Sequence, residues 1–270
     1  ELLLTSADGL TRKEVINIMV GEVREEDPLG PDPYGYYIYD SGDTDYDLAP
    51  DYDWIEIADG LGEQLNLVDY GNGNYSGSYT YSSVLLDLPF TFTFYGVDYD
   101  QIVVNTNGWI SFGDFKMYSF RNYPLPGAGG PSPMVAAFWD DLKTGSGGYI
   151  HHYETDDKVV IQWDDMRTYD GNSRETFEII LYNKELLSPT VTGDSEIKIQ
   201  YQEFNNTSDG YYPNGGTPTH GCYSTIGIEN HMGDTGLQYT FNNTYPEAAA
   251  RLEDGSAIFI TTGRLPRVNL

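Results

Sequence analysis

The sequence predicts an all-β protein, an antiparallel β-sandwich or jelly-roll-like domain with about ten or more strands and negligible helix. The first observation is an alternation of apolar and polar residues that starts at Leu86. A strand with one buried face places every second residue on that face. The second observation is that further short apolar runs follow at regular spacing, separated by Gly, Asn and Asp turn residues. Helical periodicity is limited to a turn or so at residues 246–251.

The stretch from Leu86 to Leu142 contains the clearest strand patterns. Asn107-Gly108 divides its second apolar run, and this dipeptide predicts a tight turn. The third run, residues 134–139, is almost wholly apolar and ends at Asp140-Asp141. The residues predicted to share the core face of the first two runs are Leu86, Leu88, Phe90, Phe92, Phe94, Ile102, Val104, Ile110 and Phe112. Trp109 and Trp139 also lie in strand patterns, which predicts core or near-core positions for both.

The later strands follow the same rule. A hairpin is predicted to turn at residues 155–157, and two further strands follow it. Residues 224–230, 236–242 and 256–262 predict the last three strands, and residues 54–57 predict an earlier short one. The predicted inward residues in the middle of this region are Val159, Ile161, Trp163, Phe177, Ile179, Leu181, Ile197, Ile199 and Tyr201.

Composition shifts divide the chain into three parts. Residues 1–24 predict a terminal hairpin, and the chain starts in the middle of an apolar pattern, as a processed piece of a longer protein would. Residues 25–33 are charged and rich in proline, so they predict a linker. Residues 34–270 then form the β-sandwich domain. A long loop at residues 113–133 is a candidate functional segment because long loops inside compact domains often carry function.

The charge excludes several classes of partner. With 14 basic and 42 acidic residues, the net charge is −28. Nucleic acid and anionic membrane surfaces are therefore excluded as expected partners, because both require a basic face. No apolar run approaches the ~20 residues of a membrane span. So many carboxylates repel each other unless cations neutralise them, and calcium is the natural cation outside the cell.

The strongest candidate metal site is the acidic stretch at residues 40–53. Closely spaced carboxylates in a loop can wrap a hard cation, although the spacing departs from the EF-hand pattern. The alternative is a solvated acidic loop. A second candidate is Asp140-Asp141, at the end of a predicted strand. The predicted calcium ligands are Asp40, Asp43, Asp45, Asp47, Asp51, Asp53, Asp140 and Asp141.

The sequence supports a catalytic role for such acidic residues less well than a metal-binding role. Asp140-Asp141 and Asp164-Asp165 each follow a strand containing a tryptophan, and two carboxylates from different strands could form a glycosidase pair. Strand-end turn chemistry explains them more simply. Asp51, Asp53 and Glu56 only loosely match the acid cluster of concanavalin-like glycosidases, which begins with Glu.

The single cysteine supports neither a disulfide nor a catalytic site. Cys222 has His220 and His231 near it in the sequence, but a thiolate nucleophile needs a positioned base and zinc needs three or four ligands. His151 and His152 are remote in the sequence. We therefore interpret Cys222 as an ordinary loop residue.

Tyrosine is abundant, with 24 residues, and many of them lie in polar or loop-like stretches. Exposed tyrosines give rigid, amphipathic contact area for sugars or protein partners. The alternative is that they pack over sheet faces. The sequence predicts a tyrosine-lined surface among Tyr34, Tyr36, Tyr37, Tyr39, Tyr70, Tyr75, Tyr79, Tyr81, Tyr118, Tyr123, Tyr211 and Tyr212.

The order of the motifs resembles a known domain. The chain contains, in sequence, FTFTFYG, NTNGWISFG, VAAFWDDL and KVVIQWDDM. Over about residues 30–263 this order is similar to a β-rich accessory domain of large secreted bacterial multidomain proteins, some of which carry gingipain-type or subtilisin-type peptidase domains. More distantly, it resembles the nidogen-like domain and the extracellular domain of plexin-domain-containing proteins. The loops after Ile150 and around residues 211–222 depart from the pattern.

The resemblance implies an extracellular, multidomain and non-catalytic setting, with residues 1–24 as the tail of a preceding immunoglobulin-like module. The expected function is a calcium-stabilised binding, adhesion or structural module of a secreted or cell-surface bacterial protein. Its expected partners are other domains or protomers of the same assembly, or an extracellular glycan or protein. The alternatives are a carbohydrate-binding module of a secreted enzyme, a protomer of an extracellular filament, and a glycoside hydrolase.

Overall fold

A computed structural model describes residues 2–5, 11–14, 21–71, 82–117, 120–144, 147–169, 171–207 and 222–264, the first two ranges as backbone only. The fold is all-β, as predicted, and the described residues contain one short 3-10 helix at Lys184–Leu186. The strands are β1 (Leu2–Thr5), β2 (Thr11–Glu14), β3 (Tyr37–Asp40), β4 (Glu63–Gln64), β5 (Ser83–Phe94), β6 (Val97–Asn105), β7 (Trp109–Phe112), β8 (Met134–Trp139), β9 (Leu142–Lys143), β10 (Tyr149–Glu154), β11 (Lys158–Thr168), β12 (Arg174–Tyr182), β13 (Ile197–Phe204), β14 (Thr225–Glu229), β15 (Gly236–Phe241) and β16 (Ala257–Thr261).

Two antiparallel sheets form the sandwich. The larger has the order β3-β16-β13-β12-β11-β10-β4, with β9 paired to β11. The smaller has the order β15-β14-β8-β7-β6-β5. Each is built largely from strands that follow one another in the chain, because short turns join antiparallel neighbours. β1 and β2 pair with each other in antiparallel fashion within the part of the chain predicted to form a terminal hairpin, and the residues that join them lie outside the described ranges.

The main core lies between the two sheets. Its buried members include the alternating residues predicted on β6, β7, β11, β12 and β13 and, from β5, Phe92 and Phe94, while Leu86, Leu88 and Phe90 are partly buried and pack against it. The predicted core face is therefore confirmed. Hydrogen bonds between described residues also join the two sheets across the core. The Trp163 indole N–H donates to the Asn105 carbonyl at 2.9 Å, and the Tyr201 hydroxyl donates to the Ala137 carbonyl at 2.8 Å. Burial of apolar side chains stabilises the sandwich, and these bonds fix how its sheets face each other.

The predicted turn at Asn107-Gly108 joins β6 to β7. Gly108 has a φ of +75°, and a Cβ there would lie 1.9 Å from the Phe138 carbonyl oxygen. The Gly108 carbonyl accepts hydrogen bonds from the N–H groups of Ala137 and Phe138. Only glycine permits both the positive φ and this close approach of two main chains.

The outer face of the smaller sheet is also buried. A second apolar cluster there contains Trp109, Trp139, Met134 and Leu125, with Tyr123 packed against it. Both tryptophans are fully buried, as predicted, but they lie outside the core between the sheets. We call residues 113–133 the cover loop because its Leu125 and Tyr123 close over this cluster. This packing gives the loop a structural role.

The outer face of the larger sheet is covered by residues 51–58, which we call the strap. The prediction of a strand at residues 54–57 was wrong, because these residues pair with no strand of either sheet. Ile57 is fully buried and packs on Val160 and Ile180. The strap also shields polar side chains on this face from solvent, and Gln200 is fully buried there.

A row of polar side chains holds the strap. Gln200, Glu178, Gln162 and His151 are register partners on β13, β12, β11 and β10. The main-chain N–H groups of residues 53, 55 and 57 donate in turn to Gln200, Glu178 and Gln162. Side-chain oxygens thus replace the neighbouring strand that these N–H groups would otherwise need.

No helix in the described part of the chain has the length and apolar character required to cross a bilayer.

Candidate binding groove

A groove of about 790 Å³ opens beside the outer edge of β3. Three segments remote in sequence form it, namely residues 23–31, residues 37–46 and residues 246–248. Its walls carry three tyrosines, Tyr37, Tyr39 and Tyr46, and three prolines, Pro28, Pro31 and Pro246. We call this feature the tyrosine groove. A concave site of this size, lined by aromatic and apolar groups with few polar ones, is typical of ligand-binding sites.

β3 positions the first two tyrosines. Tyr37 and Tyr39 are half-buried and alternate with Ile38 and Asp40, which are buried. Successive side chains of a strand point to opposite faces, so the two tyrosine rings lie on the same outer face. Their centroids are 6.1 Å apart, and those of Tyr39 and Tyr46 are 6.2 Å apart. The three rings therefore form a continuous aromatic row.

The free edge of β3 is closed by other parts of the chain. Ile38 exchanges two main-chain hydrogen bonds with Leu29, both 2.9 Å long. The Asp40 N–H donates to Asp43 Oδ2 at 2.9 Å, and the Tyr36 N–H donates to Asp32 Oδ1 at 2.9 Å. An edge strand that is capped in this way offers no main-chain template to a further strand. Recognition in the groove must therefore use side chains.

Hydrogen bonds fix the acidic end of the groove. The Tyr46 hydroxyl donates to Asp27 Oδ1 at 2.9 Å, and the main-chain N–H of Arg24 donates to Asp27 Oδ2 at 2.9 Å. The Arg24 N–H bond, followed by that of Tyr46, lowers the pKa of Asp27, so this carboxylate is ionised. Burial raises the pKa of Tyr39 to about 12, so its phenol remains neutral. Among the described residues that line the groove, none is Lys, Arg or His.

A family model described as NIDO related matches residues 72–258, well over half of the chain. The chain belongs to the NIDO-related family. NIDO-related domains are non-enzymatic modules of extracellular proteins. No curated protein matches the chain, and no solved structure matches it. The matched range contains both sheets' central strands, whereas the N-terminal part of the tyrosine groove precedes it in the sequence.

The NIDO-related domain brings two of the predicted calcium ligands together and leaves four others on the surface. Asp40 is buried, and its carboxylate accepts from Tyr239 at 2.8 Å, from the Ala250 N–H at 3.1 Å and from the Gly42 N–H at 2.7 Å. Asp43 is fully buried beside it, and burial raises the pKa of Asp43 to about 7. The four exposed ligands are Asp45, Asp47, Asp51 and Asp53.

These positions do not by themselves build a cation site. The Asp40 carboxylate is engaged in three internal hydrogen bonds. Across the part of the chain that the structure describes, no three His, Cys, Asp or Glu side chains are grouped so that they could hold a metal ion. Calcium binding by this NIDO-related domain stays a prediction of the sequence.

Asp140-Asp141 lie at the end of β8, as the turn interpretation predicts, whereas the same prediction was wrong for Asp164-Asp165, which lie inside β11 at an irregularity of the strand. Asp140 and Asp141 are half-buried, and Asp140 Oδ1 accepts from the Asp141 N–H at 2.7 Å. Asp165 has a positive φ of 48° and pairs with Arg174 at 2.8 Å. This ion pair gives Asp165 a structural partner at the irregularity in β11 between Trp163 and Met166.

The tyrosine-lined surface is found, but with a different membership from the predicted set. Tyr37 and Tyr39 line it, whereas Tyr36 is fully buried and its hydroxyl donates to Asp194. Tyr46 was missed because nothing in the local sequence separates it from the acidic residues around it. The alternation of Tyr37, Ile38, Tyr39 and Asp40 was the available signal for a strand. Tyr75, Tyr79, Tyr81, Tyr118, Tyr211, Tyr212 and His220 lie outside the described residues.

Proposed function

We propose that this NIDO-related domain is a non-catalytic binding module of a secreted or cell-surface protein, and that the tyrosine groove is its binding site. The observation that carries the proposal is the continuous row of Tyr37, Tyr39 and Tyr46 in a groove of about 790 Å³. Tyrosines supply large contact areas and lose little conformational entropy on binding, since each has few rotatable bonds. More specifically, we propose that the module serves adhesion within a bacterial multidomain protein and that calcium stabilises it.

The arrangement of the groove supports binding rather than catalysis. Asp27, the buried carboxylate at its acidic end, is held by Tyr46 and Arg24 and has a lowered pKa. A general acid needs a carboxyl group that keeps its proton near neutral pH. The same environment suits a fixed hydrogen-bond acceptor. Membership of a family of non-enzymatic modules agrees with this interpretation.

The experiment is a retention assay on immobilised extracellular polymers. The panel contains neutral polysaccharides, mucin and collagen, and the tested variant is Tyr37→Ala combined with Tyr39→Ala. Tyr149→Ala combined with Tyr169→Ala is the matched control, because these two tyrosines are 45% and 40% exposed and lie outside the groove. We expect at least one polymer to retain the wild type and the control but not the groove variant. Equal retention of all three proteins would refute the assignment of the groove.

A further inference from the structure

We propose that the ligand of the tyrosine groove is an uncharged segment of a polysaccharide, which stacks its sugar rings on Tyr37, Tyr39 and Tyr46. This inference rests on the proposed function and adds the chemical class of the ligand. The first argument is shape. Three phenol rings with centroids spaced by 6.1 and 6.2 Å lie along one wall, with interplanar angles of 39° between Tyr37 and Tyr39 and 63° between Tyr39 and Tyr46. Rings at such angles offer faces and edges to a curved chain of sugar rings, whose apolar faces pack on aromatic groups and whose hydroxyl groups remain free for polar contacts.

The second argument is charge. The groove contains the carboxylates of Asp27 and Glu247, of which Asp27 pairs with the neighbouring Arg24 at 3.4 Å, and its described lining residues include no cationic side chain. The chain as a whole carries a net charge of −28. Uronic acids, sialic acids, sulfated glycans and phosphate groups would be repelled, because binding them requires Lys or Arg. The ligand is therefore not an anion.

The third argument is hydrogen-bond matching. An ionised carboxylate only accepts hydrogen bonds, and the phenol groups of Tyr37 and Tyr39 can donate and accept, whereas the Tyr46 hydroxyl already donates its proton to Asp27. The exposed Glu247 and the tyrosine hydroxyls therefore favour a ligand that is rich in O–H donors. A proline-rich peptide fits less well, because proline has no N–H and such a peptide offers mainly carbonyl acceptors.

The fourth argument excludes the commonest alternative for a groove beside a sheet edge. A peptide bound as an added strand needs unpaired main-chain groups on the edge strand. Leu29, Asp43 and Asp32 already occupy those of Ile38, Asp40 and Tyr36. The ligand must therefore be recognised by ring faces and side-chain polar groups, as a sugar chain would be.

The test measures affinity by calorimetry for neutral oligosaccharides chosen from a glycan array. A polygalacturonate oligomer, a decaproline peptide and a decalysine peptide are the comparison ligands. We expect binding of at least one neutral oligosaccharide and none of the polygalacturonate. Tyr37→Ala should weaken the sugar affinity at least about tenfold, which corresponds to ~1.4 kcal/mol. Tyr37→Phe, which keeps the ring, should weaken it less, and Tyr149→Ala should leave it unchanged.

The outcomes separate the ligand class from the proposed function. Glu247→Gln provides a second variant at an exposed position, where folding is not at risk; it should weaken sugar binding and leave the melting temperature unchanged. Tyr37-dependent binding of decaproline or decalysine, without binding of any neutral glycan on the array, would overturn the sugar ligand and leave the binding module standing. Tyr37-independent binding of every ligand, or no binding at all, would overturn both.

Discussion

The main-chain N–H of Ile55 donates to Oε1 of Glu178 at 3.2 Å, although the two residues are 123 positions apart in the sequence. Gln200 Nε2 donates to the same oxygen at 2.6 Å. The other carboxylate oxygen, Oε2, is buried and has no hydrogen-bond partner among the described residues. A carboxyl group placed under the strap therefore holds a segment that no sheet holds, and burial raises the pKa of Glu178 to about 8.

This raised pKa predicts a loss of stability as the pH rises. Between the ordinary pKa of 4.5 and the folded value of about 8, the unfolded chain releases a proton that the folded chain keeps. The free energy of unfolding should fall across this window, by up to about 1.4 kcal/mol per pH unit for one such group. Glu175, whose pKa burial also raises to about 8, contributes in the same direction.

The variant Glu178→Gln should flatten the pH dependence, because the amide keeps the oxygen acceptor and does not titrate. Part of the slope should remain, owing to Glu175. Urea unfolding at several pH values across the window measures the effect, with the exposed Glu154→Gln as the control. An unchanged slope in Glu178→Gln would show that Glu178 is ionised in the folded protein.

The strap should contribute strongly to stability through Ile57. This side chain is fully buried against Val160 and Ile180. Ile57→Ala should lower the free energy of unfolding by about 2 to 4 kcal/mol, the usual cost of a buried cavity of this kind. Leu61→Ala, at a residue that is 54% exposed, should change it by less than about 0.5 kcal/mol. Similar small effects for both variants would mean that the strap is detached in solution.

The cover loop should depend on Glu229. Its buried carboxyl group accepts from the Gly127 N–H at 2.9 Å and from the Ser132 hydroxyl at 2.6 Å. Glu229→Ala leaves both donors without this acceptor, at a cost of about 1 to 3 kcal/mol for each one that stays buried. We expect faster tryptic cleavage after Lys116 and Arg121 in the loop. Glu253→Ala, at an exposed residue, is the control, and equal cleavage rates in the two variants would contradict the anchoring role.

Calcium should stabilise the acidic stretch if the prediction from the sequence is right. The exposed carboxylates of Asp45, Asp47, Asp51 and Asp53 are the available ligands. For a dissociation constant of about 1 mM, calcium at about ten times that concentration would raise the free energy of unfolding by about 1.4 kcal/mol. We expect a higher melting temperature with calcium than with EDTA, and loss of the difference in Asp45→Asn combined with Asp47→Asn. Identical melting temperatures of the wild type in the two buffers would rule out calcium binding.

The sequence determined the sandwich by itself. The alternation on β5, β6, β11, β12 and β13 named the core face correctly, because a period of two leaves a strand only one way to bury its apolar residues. The turn at Asn107-Gly108 was also predicted correctly from the sequence. The structure shows why glycine is present, since the close approach of Phe138 requires glycine at position 108.

Only the tertiary structure decided what covers the outer faces and where the groove lies. The strap looked like a strand because its apolar residues alternate, but its N–H groups bond to side chains of Gln200, Glu178 and Gln162 instead of a neighbouring strand. The groove joins residues 23–31, β3 and residues 246–248. Periodicity reports which face of an element is apolar, and it carries no information about which distant segment packs there. That choice depends on the packing of the whole chain, which is why Tyr46 and Glu247 join the site only in the folded protein.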